Sequence, residues 1–99
     1  MRRRRRRNSW AHIGVGMFTQ GNIEEALRNL RASSYRPRRV QLVLLLAHAR
    51  LHQWQEAQEQ LHLLEKGTAS AAESIAMHTP QPWRAMILEA IAEARKWQP

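Results

Sequence analysis

Histidine is the side chain through which a chain without cysteine would hold a metal or move a proton near neutral pH, and this sequence has five. His48 and His52 are four residues apart, which puts both on one face of a helix, the spacing of a metal-ligand pair. A structural zinc site needs two more ligands. Glu56 extends that face by a turn only if the helix runs on, and a break is expected near Gln53. His12, His62 and His78 have no partner at a useful spacing. Glu24 and Glu25 are adjacent at a predicted helix start, where the helix dipole favours negative charge, so they do not read as a catalytic acid and base. The chain has no Asp, no glycine-rich phosphate loop and no Gly-x-Ser-x-Gly elbow. Gly14 and Gly16 fall inside a helix pattern with no strand before them, so they read as small residues that let helices approach. The expectation is a protein without catalysis, metal or cofactor.

The net charge is +8 over 99 residues, and Arg2 to Arg7 supply six of those charges. The remainder has ten basic and eight acidic residues. Residues 1–7 are therefore expected to form a disordered, self-repelling tail, and residues 8–99 a single domain. Four roles stay open for the tail: a solvated or artificial extension, a nucleic-acid-binding or nuclear-targeting arm, an organelle-targeting leader, and a tether to an anionic membrane surface. No continuous apolar core follows the arginines, which argues against a secretory signal. The lack of cysteine fits a reducing compartment, and a cytoplasmic location is expected.

The elements that carry these residues read as helices. Hydrophobic residues are 43%, enough for a thin core, and no alternating run of strand formers appears. Trp10 to Ser33 reads as a helical hairpin. Trp10, Ile13 and Met17 line one helix, and Ile23, Ala26, Leu27 and Leu30 line the next. Between them, Gly21 is placed to end the first helix, and Asn22 with Glu25 to cap the second as a capping box. After Pro37, an almost wholly apolar helix is predicted to about His52, the mark of an element covered on several sides. It is far too short to span a bilayer. A fourth helix is predicted over about Trp54 to Lys66, ended by Gly67. A short fifth follows over about Ala71 to His78, with Ser70 and Glu73 as its capping box. The run Thr79-Pro80-Gln81-Pro82 breaks the chain before a sixth helix from about Pro82 to Trp97. Trp54, Ala57, Leu61 and Leu64 repeat the order of Ile23, Ala26, Leu30 and Ser33 at an offset of 31 residues, an internal echo.

The first hairpin resembles a tetratricopeptide repeat over about residues 7–36. Trp10, Ile13, Gly14 and Met17 match the first-helix signature, and Gly21, Asn22, Ile23, Ala26 and Leu30 match the turn and second helix. Met17 stands where tyrosine is usual, Ser33 where alanine is preferred, and Arg38 where proline is preferred. A degenerate second repeat covers about residues 38–67, with Leu45 where a small residue is expected and His48 at a packing position usually held by an aromatic. The resemblance implies an all-α fold of three antiparallel hairpins stacked as a short, right-handed tetratricopeptide-like solenoid. It also implies a partner lying along the concave side of the first helix of each pair. Carried onto this chain, the partner-binding residues are His12, Val15, Phe18 and Thr19, then Arg39, Leu42, Val43, Leu46, Ala49 and Arg50. Such a groove is apolar in its middle and basic at its rim, suited to an amphipathic or extended segment with acidic residues beside apolar anchors. A patch of that size is covered in water; a partner chain, a second copy or the sixth helix are the three candidate covers. The implied function is non-catalytic protein binding, as an adaptor or a secretion-type chaperone. Nucleic-acid binding through the arginine tail is the alternative, and a fragment of a larger helical-repeat regulator would read the same way.

Overall fold

A computed structural model describes residues 12–98; the arginine run and Trp10, with the readings placed on them, lie outside the described residues. The chain is all-helical, with six helices and no strand among the described residues. They are α1 (12–19 within the described residues), α2 (Ile23–Ala32), α3 (Arg38–Arg50), α4 (Trp54–Leu64), α5 (Ala71–Met77) and α6 (Trp83–Lys96). None is long and apolar enough to cross a membrane.

α1 ends in a Schellman arrangement. The Asn22 N–H donates to the Met17 carbonyl at 2.8 Å and the Gly21 N–H to the Phe18 carbonyl at 3.0 Å. This geometry needs a left-handed residue, and Gly21 supplies it at φ +88°. α3 ends the same way: the Gln53 N–H donates to His48 at 2.9 Å and the His52 N–H to Ala49 at 3.1 Å. There the left-handed residue is His52, at φ +57°. Neither expected capping box forms. Asn22 makes no side-chain cap bond, and the Glu25 carboxylate pairs with Arg28 at 3.2 Å instead. Ser70 is itself left-handed and caps nothing, while Glu73 turns to Arg95. In both places an arginine holds the carboxylate that would otherwise fold back to the cap.

The internal echo reappears as burial. Ala26 and Ala57, Leu30 and Leu61, and Ser33 and Leu64 are all buried, while Ile23 and Trp54 are both half-buried. Gly14 allows α1 to sit tightly on α2: a Cβ there would lie 2.6 Å from Leu30 Cγ and 3.1 Å from the Ala26 carbonyl oxygen. Gly16 faces open space, so the packing role expected of both glycines belongs to Gly14 alone. Asn29, buried in the same interface, donates to the Glu25 carbonyl at 2.8 Å and lies 3.2 Å from Met17 Sδ.

α3 is the centre. Val40 and Leu42 through His48 are all buried, as its apolar circumference requires. It packs against α2, α4 and α6. A simple stack of hairpins would set α5, the first helix of the third pair, against α3. Here α6 makes that contact, and α5 packs mainly on α6 from outside. α6 is tied at its far end by Gln58, whose Nε2 donates to the carbonyls of Ala94 at 2.7 Å and Trp97 at 2.8 Å. Arg95 adds an ion pair to Glu65 at 2.8 Å and another to Glu73.

Candidate functional site

The predicted trough is closed. Phe18, Leu42, Val43 and Leu46 are 4%, 6%, 6% and 3% exposed, so they are core and not an open binding surface. The cover is α6, which packs on α3 and brings Trp83 to Phe18 with ring centroids 5.7 Å apart at 33°. The physical reason is the one that made a cover necessary. A large apolar patch is unstable in water, and the chain carries an apolar helix face within reach of it. Once α6 lies there, a partner has no access to these four side chains.

The other predicted site residues divide between two hollows. His12, Val15 and Arg39 line a cavity of about 290 Å³ with Tyr35, Pro37 and Val40, where α1 meets the α2–α3 connector. Ala49 and Arg50, with the edge of Leu46, line a channel of about 580 Å³ beside α6. Its other walls are His52, Trp54, Met86, Glu89, Ala90 and Glu93. Thr19 joins neither set; its hydroxyl donates to the Val15 carbonyl of its own helix at 2.9 Å. The channel rim is mixed in sign. Arg50 comes from α3, and Glu89 and Glu93 come from α6, so the basic rim expected from α1 and α3 alone is only half of it.

The histidine pair does not converge. His48 is buried, with Nδ1 2.8 Å from Gln53 Oε1. His52 has left the helix and sits edge-on to Trp54, 5.9 Å between centroids. Among the described residues no three His or Glu side chains gather as a metal would require.

Two arginines show opposite electrostatic settings. Arg95 is raised above its ordinary value by its hydrogen bonds to Glu73 and Glu65. Burial pushes the Glu73 carboxyl up, but the hydrogen bond and charge of Arg95 bring it below its ordinary range. Arg36 is lowered, first by burial and then by the charge of Arg31. Its guanidinium donates to the carbonyls of Leu30 at 2.6 Å and Arg31 at 3.4 Å, and to that of Ser33, closing the end of α2.

No protein-family model matches the chain, and neither the curated proteins nor the solved structures give a significant match. Sequence reasoning missed Tyr35, Met86, Glu89 and Glu93 as wall residues. The first carried a usable signal, because it sits in a thirty-residue stretch, 26–55, that has six arginines and no acid.

Proposed function

We propose that the chain is a non-catalytic protein-interaction module of tetratricopeptide-like build, an adaptor or chaperone, working in the cytoplasm. Its partner is a short amphipathic or extended segment of another protein. The observation that carries this reading is the channel beside α6. Its wall and floor are the half-buried Ala49, Trp54 and Met86 with Ala90, and its two rims bear opposite charges. An apolar floor with a few charged groups at its edges is the usual form of a peptide-binding cleft. The echo of burial between α1–α2 and α3–α4 supports the repeat-like build, and the cysteine-free composition suits a reducing compartment.

The channel is tested at Ala49. Leu46→Glu is unsuitable, because Leu46 is buried and a charge there would disrupt the core. Ala49→Trp fills the channel from its half-exposed wall. Tagged wild-type chain is expected to capture a defined host protein, identified by mass spectrometry, and the variant to lose it with an unchanged far-ultraviolet spectrum. Equal capture by the two proteins would count against the channel.

A further inference from the structure

The charges are segregated along the chain, and the fold gathers part of the excess at one end. Residues 1–55 hold twelve arginines against two glutamates, whereas residues 56–99 hold four basic residues against six glutamates. The basic character is thus not confined to the arginine run. Arg31 closes the last turn of α2, and Arg38 and Arg39 open α3, joined by the connector 33–37. None of these three has an ion-pair partner among the described residues, and all three are exposed. In residues 56–99, by contrast, the exposed Arg95 is matched by two glutamates.

The connector also presents an aromatic ring. Tyr35 is 44% exposed and lines the same cavity as His12 and Arg39. Its backbone is fixed on both sides. The Tyr35 N–H donates to Ser33 Oγ at 3.1 Å, the Arg36 guanidinium clamps the end of α2, and Pro37 fixes the entry to α3. A large ring held open to water beside unpaired guanidinium groups has no role in the core. It has the two elements of a single-strand platform: a π-face for a base and cations for the flanking phosphates.

We propose that the α1 and α2–α3 end, centred on Tyr35 with Arg38 and Arg39, binds single-stranded nucleic acid. A base stacks on the Tyr35 ring, and Arg38 and Arg39 contact the adjoining phosphodiesters. An acidic peptide or an anionic membrane would also answer the charge, but a single strand presents a flat π-face and an anion in every unit, which is what one exposed ring flanked by arginines matches. The site is separate from the channel beside α6, so it stands whether or not that channel binds a protein.

The test uses the full chain, with Arg2 to Arg7 intact, and a fluorescein-labelled mixed-sequence 20-mer in single-stranded RNA, single-stranded DNA and duplex DNA forms, followed by anisotropy across a salt series. Either single strand binding more tightly than the duplex is the expected result, and the RNA and DNA arms show which sugar is preferred. Tyr35→Ala should weaken single-strand binding about tenfold or more, and Tyr35→Phe should restore it. Arg38→Ser with Arg39→Ser should lower the slope of log affinity against log salt by about 1.4, the value for two lost phosphate contacts. All three positions are exposed, and unchanged circular dichroism confirms that each variant folds. The proposal fails if both variants bind as the wild type does, which leaves the arginine run as the whole site. It fails equally if duplex binds as well as single strand. It also fails if phosphatidylserine vesicles or a polyglutamate peptide compete as strongly as unlabelled oligonucleotide.

Discussion

The turn after α1 and the turn after α3 are the same structure built from different residues. Each closes with the same pair of backbone hydrogen bonds, and each places one residue in the left-handed region. That residue is Gly21 in the first and His52 in the second, 31 residues later, the same offset that relates Ala26 to Ala57 and Leu30 to Leu61. A side chain in this conformation costs about 1–2 kcal/mol, which glycine avoids. The second turn therefore keeps a strained residue where the first does not. His52 is also the one that walls the channel beside α6, packed edge-on against Trp54. Strain of this kind, kept at the edge of a hollow, is consistent with a turn shaped by the hollow and not by folding alone.

The comparison yields experiments of decreasing size. Leu30→Ala and Leu61→Ala remove equivalent core side chains, and each should lower the free energy of unfolding by roughly 2–5 kcal/mol in urea titrations. The Leu30 variant should cost less than a normal cavity if Gly14 lets α1 settle inward. A loss confined to one of the pair would break the equivalence of the two hairpins. At the turns themselves, Gly21→Ala should cost about 1–2 kcal/mol although its surroundings are open. His52→Gly should move in the opposite direction, raising stability by about 1 kcal/mol or less, because glycine's freedom in the unfolded chain offsets part of the relief. A destabilised His52→Gly protein would show that the ring contact with Trp54 outweighs the strain.

The third pair, which has no echo, adds the ion pairs of Arg95 to its apolar packing, and removing them should have the smallest effect. Arg95→Ala is expected to cost less than about 1 kcal/mol at neutral pH, since Arg95 is half exposed. The pH dependence has a definite sign. Glu73 is held below its ordinary range by Arg95, so its contribution is present above the ordinary carboxylate range. It disappears as the pH falls through the lowered folded value. Arg95→Ala should therefore flatten the acid limb of the stability curve. An unchanged acid limb would mean that Glu73 gains nothing from Arg95 in solution.

Most of the helices were readable from the residues, and the reasons are local. α3 and α4 lie within a few residues of the spans expected from Pro37, the break near Gln53 and Gly67, and the Thr79–Pro82 breaker leads into α6 as the sequence implies. Gly21 was readable because one residue type dominates that conformation; His52 was not, because nothing in its type demands it. The caps at Asn22 and Ser70 failed because Glu25 and Glu73 found arginines that local pattern does not weigh. The site residues suffered most. An apolar face on α3 states that something covers Leu42 and Leu46, but a periodicity cannot say which helix does, so α6 filling the trough was only one of three readings. Arg39 and His12 are expected among the partner-binding residues of one groove, and they line a cavity with Tyr35 instead.

The placement of α6 has a consequence in time. The helix that covers α3 is made after the residues it covers, and its Trp83 meets Phe18 across 65 residues of chain. During synthesis, Leu42, Leu46 and Phe18 exist before α6 is available to shield them, and an unshielded apolar face in a nascent chain invites wrong associations. Production of this protein should therefore be sensitive to truncations or pauses after about residue 66 even though every helix named in the signature lies upstream of them.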